Sequence, residues 1–240
     1  PILAMAEELG FGEVAGLNIG PEVPGVLPDD AYCRERKFWV DARGRKRRLR
    51  CTLGDAVNAS IGQGYITVTP YQLALAYARL ASGKRLEPRV VRRVVAENSR
   101  EVETYADKKP PAWAIDPAHL EAVREGLRQV VNDPRGTAYR AFYNTESNHG
   151  ATRLRAAGIE VAGKTGTAQV RALKRDKDGR PIATVNYANQ DHAWFAGYAP
   201  AEDPVIAVAV LVEHGGSGGR AAAPIAFEVM AAVLVPEEEG

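Results

Sequence analysis

Cysteine and histidine are scarce in these 240 residues, with two of the first and four of the second. Cys33 and Cys51 have no second close Cys or His pair beside them, and the histidines are scattered, so no metal-ligand spacing is legible. Net charge is nearly absent at +1, which removes any overall field toward nucleic acid or a membrane. Long apolar runs are missing as well. The longest, residues 205–212, has a strand's length rather than a bilayer's, and the N-terminus lacks the basic head of a signal peptide. What is present is 45% hydrophobic content, enough for a core and incompatible with wholesale disorder.

The small net charge hides an uneven distribution. Arg43, Arg45, Lys46, Arg47, Arg48 and Arg50 crowd one short stretch, preceded by Arg34, Arg36 and Lys37, and the two cysteines bracket it. Residues 31–51 read as a hairpin-like basic extension, with residues 38–40 as one arm, 41–44 as the turn and the basic run as the other arm. A disulfide that closes the extension in an oxidising compartment and two free thiols are both compatible with the sequence.

Along the chain, a first amphipathic helix should stop at Gly10, followed by a Gly/Pro-rich connector to Pro28. A chain that starts inside a helix has the look of a piece cut from something longer. Asp55 is a candidate N-cap for a short helix, and Thr69 with Pro70 opens a second, apolar enough to be buried. Residues 90–95 and 100–104 suggest a two-stranded excursion around Asn98 and Ser99. Asp116 and Pro117 open a helix to about Asn132 with Leu120, Val123, Leu127 and Val130 on one stripe. Another helical turn or two is expected over 137–143, then a polar loop over 144–150. Strands are expected at 193–199 and 205–212 around a tight turn, and an Ala-rich helix at 220–235. No repeats occur and no helix alternates with each strand, so the fold class is α+β, a mainly antiparallel sheet covered by helices.

The most informative segment is Gly163-Lys164-Thr165-Gly166-Thr167-Ala168-Gln169. A lysine framed by glycines and hydroxyls holds an anion, and two unrelated designs use it. Read backward to Gly158, it satisfies the G-x-x-x-x-G-K-S/T spacing of a phosphate loop. Read forward, Lys164-Thr165-Gly166 is the K-T-G element of serine acyl-transferases that react with β-lactams. The phosphate-loop reading is weak, because Ile159, Glu160, Val161 and Ala162 include no glycine to let amides curl around a phosphate. On a strand, Thr165 and Thr167 share one face and Lys164 takes the other. Two hydroxyls then grip a carboxylate while the lysine raises the local potential, and a backbone N–H past the glycine can serve an oxyanion.

The element does not stand alone. Leu53-Gly-Asp-Ala-Val-Asn-Ala-Ser60-Ile-Gly-Gln-Gly64-Tyr-Ile-Thr-Val-Thr69-Pro70-Tyr-Gln72 resembles a long signature of class B penicillin-binding proteins. Lys164-Thr-Gly-Thr-Ala-Gln169 and Asp191-His-Ala-Trp-Phe-Ala-Gly-Tyr-Ala-Pro200 resemble its later segments. Gly10-Phe-Gly12, Gly16-Leu-Asn-Ile and Gly25-Val-Leu-Pro28 look like the stretch before them. The pairing of Ser-Ile-Gly-Gln-Gly with Thr-Gly-Thr-Ala-Gln is more similar to the elongation type, penicillin-binding protein 2, than to the division type.

That resemblance implies a serine D,D-transpeptidase/β-lactamase-like fold and peptidoglycan cross-linking through a serine acyl-enzyme, without a cofactor. It implies Lys164 and Thr167 as catalytic residues, the latter through its amide. Thr165, Gly166, Thr167 and Gln169 are implied to bind substrate. The implied partners are peptidoglycan stem peptides, β-lactam antibiotics, a SEDS-family glycosyltransferase and elongation-complex proteins. The implied location is the outer face of the bacterial cytoplasmic membrane, through an N-terminal anchor. The family's S-x-x-K and S-x-N elements are not found. Ser60, Ser82 and Ser99 lack a lysine three residues on, Ser147 and Ser217 also fail, and Ser147-Asn148 has the wrong spacing. Residues 1–240 are therefore expected to be the C-terminal portion of one transpeptidase domain, inactive alone. A non-catalytic β-lactam-binding or scaffold module is the alternative, and a phosphate-loop protein the weaker one.

Other features draw plainer expectations. His192 beside Asp191 suggests a catalytic pair, but adjacent strand residues face opposite ways. Trp194, Phe195 and Tyr198 read as core and groove wall. Residues 215–219 border the groove or simply connect a strand to a helix. The basic extension is a solvated excursion, or touches anionic lipid headgroups or glycan phosphates. Stacking aromatics are not interleaved with its arginines, against nucleic acid.

Overall fold

The computed structural model describes residues 2–17, 19–97, 101–104, 110, 111, 113, 115–144, 148–169 and 190–236. At its centre β5 (Ala162–Ala168), β6 (His192–Ala199) and β7 (Ile206–Val212) form an antiparallel sheet in that order. Alternation sorts the side chains by face. Phe195, Val208 and Val210 join one core cluster with Phe227, Met230 and Ala231 of α8 (Ala223–Leu234). Ala162, Tyr198 and Ala207 pack on the opposite face with Ala81 of α4 (Pro70–Ser82) and Leu127 of α5 (Pro117–Asn132). Behind α8 lie α6 (Tyr139–Tyr143) and α7 (His149–Ala156). Phe142 of α6 meets Phe227 edge-on at 5.0 Å, and Phe227 meets Phe195 at 5.4 Å. Helices thus cover both faces of an antiparallel sheet, the α+β arrangement expected.

Capping chemistry accounts for the helix starts. Thr69 Oγ1 accepts the Gln72 amide at 3.1 Å while Gln72 Oε1 accepts the Thr69 amide at 2.9 Å, the reciprocal box that begins α4 at Pro70. Gln72 is buried because its Nε2 donates to the Glu13 and Pro24 carbonyls at 2.7 and 2.8 Å, which ties the Gly/Pro-rich connector to α4. The first helix, α1 (Ile2–Leu9), ends before Gly10 as expected. Helix α5 also has the expected bounds, but its buried stripe is Leu120, Leu127 and Val131, with Val123 exposed and Val130 half-buried. Positions seven and eleven residues on return to within about 20° of Leu120, whereas the third and tenth fall on its flank.

Three expectations need correction. The hairpin does not span all of 31–51. Residues up to Arg36 belong to α2 (Asp30–Arg36), whose N-cap Asp29 accepts the Tyr32 amide at 2.7 Å. Helix α3 (Leu53–Ser60) is capped by Thr52 rather than Asp55, which sits at the third helical position and accepts the Thr52 amide at 2.7 Å. His149 and Gly150 open α7 rather than end a loop, because Asn148 Oδ1 accepts the Ala151 amide at 2.8 Å. In each case a local side-chain acceptor decides the boundary over turn-like composition. The excursion at 90–104 is present as β3 (Arg93–Val95) paired with β4 (Glu101–Thr104), while its expected turn, Asn98 and Ser99, lies outside the described residues.

The basic hairpin proper is β1 (Phe38–Val40) against β2 (Lys46–Arg48). Asp41 closes its turn by accepting the Arg43 and Arg45 amides at 2.9 and 3.0 Å. A Cys33–Cys51 disulfide, with Cα atoms 5.3 Å apart, resolves the alternative left open by sequence. Lys37 Nζ adds a 2.6 Å ion pair to Asp55 at the base of the extension.

Two outcomes follow from these contacts. Phe195→Ala, at the centre of the larger core, should cost about 3–5 kcal/mol in a denaturant titration. The Lys37 hydrogen bond, then those of Thr52, hold the Asp55 carboxyl well below its ordinary value of 3.8. A depressed folded-state pKa stabilises above the ordinary value and loses that contribution as pH falls. Asp55→Asn should therefore lower the melting temperature at neutral pH, with the gap to the parent closing as pH drops below 3.8.

Candidate active site on the outer edge of β5

Strand β5 pairs with β6 along one side only, and its other edge has no strand partner among the described residues. Lys164, Thr165, Gly166 and Thr167 lie on it, with Gln169 just past its end. Thr165 and Thr167 stand opposite Phe195 and Ala193 on one face, and Lys164 and Gly166 opposite Ala196 and Trp194 on the other. Lys164, Thr167 and Gln169 are exposed, while Thr165 and Gly166 are half-buried.

Backbone polarity sets what this edge can do. Lys164 Nζ bends back to donate to the Thr165 carbonyl at 2.8 Å, and Gln63 Nε2 donates to the Thr167 carbonyl at 3.1 Å. In an antiparallel strand the N–H and C=O of one residue project to the same side. The Thr167 amide therefore also points to the open edge, beside an ammonium and two hydroxyls. Such a set can bind a carboxylate and polarise an acyl oxygen. A phosphate loop would instead place Lys164 and Thr165 at a helix N-terminus, and here both are mid-strand.

Three further groups contribute to this edge. Gln63 and Thr137 were not assigned to it from sequence, whereas Gly218 belongs to the 215–219 loop expected to border the groove or connect a strand to a helix. Gln63 lies in the Ser60–Gly64 segment quoted above, but nothing in that spacing fixes its contact with residue 167. The hydroxyls of Thr137 and Thr165 are 2.6 Å apart, a pairing that only the tertiary fold creates. Gly218 opens the π turn Gly218–Ala222, and a Cβ there would lie 2.2 Å from the Trp194 carbonyl oxygen and 2.6 Å from that of Gly166. A cavity of about 370 Å³ opens beside Lys164, lined also by Gln129, Val130, Asp133, Arg135 and Thr137.

His192 and Asp191 take other partners. His192 Nδ1 accepts the His214 amide at 2.9 Å, and the Asp191 carbonyl accepts the Gly216 amide at 2.8 Å, so both fasten the turn after β7. Phe195 and Tyr198 are fully buried core residues, and Trp194 is half-buried.

Residues 2–231 match the penicillin binding protein transpeptidase domain. The chain belongs to that family. It is 28% identical to the peptidoglycan D,D-transpeptidase MrdA of Salmonella typhimurium, over 98% of this chain and 34% of that protein. It is 33% identical to MrdA of Haemophilus influenzae, over 93% of this chain and 31% of the relative. Among solved structures, penicillin-binding protein 2 (PBP2) of Pseudomonas aeruginosa superposes with a TM-score of 0.72 at 32% identity, covering 100% of this chain and 43% of that one. PBP2 of Helicobacter pylori, in complex with MreC, gives 0.65 at 26% identity over 97% and 35%. The chain thus spans about a third of the length of the curated relatives it matches.

Within this penicillin-binding transpeptidase domain, the glycine loop at 215–219 has a packing role against β5 and β6. At Gly218 the backbone lies where any side chain would collide with the Trp194 carbonyl of β6 and the Gly166 backbone of the strand that bears Lys164. Gly218→Ala should lower stability by about 1–3 kcal/mol, read as a fall in the urea midpoint.

Proposed function

We propose that this chain, residues 1–240, is the C-terminal portion of one transpeptidase domain and forms the lysine- and threonine-bearing wall of a peptidoglycan D,D-transpeptidase site. The observation that carries the reading is the open edge of β5, where Lys164, Thr165, Thr167 and the outward-facing Thr167 amide converge. The similarity to the MrdA relatives, which are peptidoglycan D,D-transpeptidases, supports the same activity.

In the proposed reaction a serine attacks the carbonyl of a D-Ala-D-Ala stem peptide, expels the terminal D-Ala and leaves an acyl-enzyme for an amine of a neighbouring strand. Thr165 and Thr167 hold the terminal carboxylate, and Lys164 supplies positive potential to the site. The Thr167 amide provides half of the oxyanion hole, with Gly166 allowing close approach. Gln169 borders the groove. A β-lactam presents the same carboxylate and a strained amide to these groups. No serine in the 240 residues is followed three positions on by lysine, so the S-x-x-K nucleophile is assigned to sequence beyond them.

The physiological setting we propose is cell elongation at the outer face of the cytoplasmic membrane, with an N-terminal anchor. A SEDS-family glycosyltransferase and elongation-complex proteins are the proposed partners. The Helicobacter pylori PBP2–MreC complex supports the second class.

A fluorescent penicillin should label the longer protein covalently and leave the isolated 240 residues unlabelled. Lys164→Ala in the longer protein should slow acylation by about a hundredfold. Labelling of the isolated chain would place the nucleophile inside it, and an unchanged rate in Lys164→Ala would remove β5 from the site.

A further inference from the structure

We propose that Thr137 is a positioning residue for the Thr165 hydroxyl and so sets the preference for a substrate carboxylate. This rests on the role proposed above for Thr165. The two hydroxyl oxygens are 2.6 Å apart, joining segments 28 residues apart in sequence. A threonine hydroxyl carries a single proton. If Thr165 donates that proton to an anionic carboxylate, its bond to Thr137 persists only with Thr137 as the donor. Protons then point in one direction, from Thr137 to Thr165 to the carboxylate, and each bond polarises the next. Without Thr137, the Thr165 hydroxyl loses the partner that turns its proton outward.

The surroundings hold Thr137 in place without any ligand. Just before it, a Cβ at Gly136 would fall 2.2 Å from the Val130 carbonyl oxygen, so the chain doubles back tightly against the end of α5. Just after it, the Ala138 amide donates to the same carbonyl at 3.1 Å, and Ala138 is fully buried. From the other side, a Cβ at Gly219 would lie 2.6 Å from the Thr137 carbonyl oxygen. Backbone packing on both flanks fixes the residue while its side chain stays exposed on the rim of the cavity beside Lys164. Arg135, the nearest other candidate for a carboxylate contact in this loop, is engaged by Asp133 through two bonds of 3.0 Å each.

The test uses the full-length protein and two probes, a penicillin with its free carboxylate and the methyl ester of the same penicillin. Acylation rate constants are measured for the parent, Thr165→Val, Thr137→Val and Thr137→Ser. Thr165→Val and Thr137→Val should each slow the free acid by about tenfold and leave the ester within about twofold, and Thr137→Ser should restore the parent preference. If Thr165→Val leaves the acid-to-ester ratio unchanged, the carboxylate role of Thr165 fails and the positioning role falls with it. If Thr165→Val lowers the ratio but Thr137→Val does not, only the positioning role is overturned. Equal losses on acid and ester in Thr137→Val, or no rescue by serine, would reveal a packing role and also overturn it.

Discussion

The antiparallel pairing of β5 with β6, unbroken from Ala162 opposite Tyr198 to Ala168 opposite His192, is what the rest of the molecule depends on. It holds a strand rigid from one side so that its other edge can remain open. An open edge is a hazard in a soluble domain, because unpaired backbone groups invite another strand. Here the edge is blunted selectively. Lys164 covers the Thr165 carbonyl and Gln63 covers the Thr167 carbonyl, while the amide of Thr167 is left pointing outward. The groups that protect the strand are carbonyl-directed donors, and what they leave is a donor suited to an anion.

Glycine backbone makes the same strand thin enough to be surrounded. A Cβ at Gly163 would lie 2.5 Å from the Phe195 ring, and one at Gly197 would lie 2.5 Å from the Ala162 carbonyl oxygen. Gly218 approaches Gly166 from outside the sheet. These positions let Phe195, Phe227 and Phe142 stack edge to face below the site, so the strand sits on a packed aromatic floor. The rigidity of that floor is the means by which two threonine hydroxyls and one amide keep their spacing.

Much of this was legible in the chain. The Thr69 cap with Pro70, the Pro117 start of α5, the strands at 193–199 and 205–212 and the Lys-Thr-Gly element all rest on residues within a turn or two of one another. Boundaries failed where two local signals competed. Thr52 displaced Asp55 as a cap because Asp55 serves better as the reciprocal acceptor at the third position. Asn148 turned a polar loop into the start of α7 by the same kind of bond. The Cys33–Cys51 link stayed open in sequence because bonding requires Cα proximity, which spacing does not reveal.

Sequence alone determined which residue types stand on β5 and, through two-residue alternation, which face each one takes. Only the tertiary structure decided which edge of that strand is free and which distant groups reach it. Gln63 and Thr137 lie 104 and 28 residues from their partners in the chain. No periodicity operates over such separations. Their contacts exist because α4 and α5 pack on one face of the sheet and α8 on the other, which brings the loop before α4 and the loop after α5 to the edge that β6 leaves unpaired.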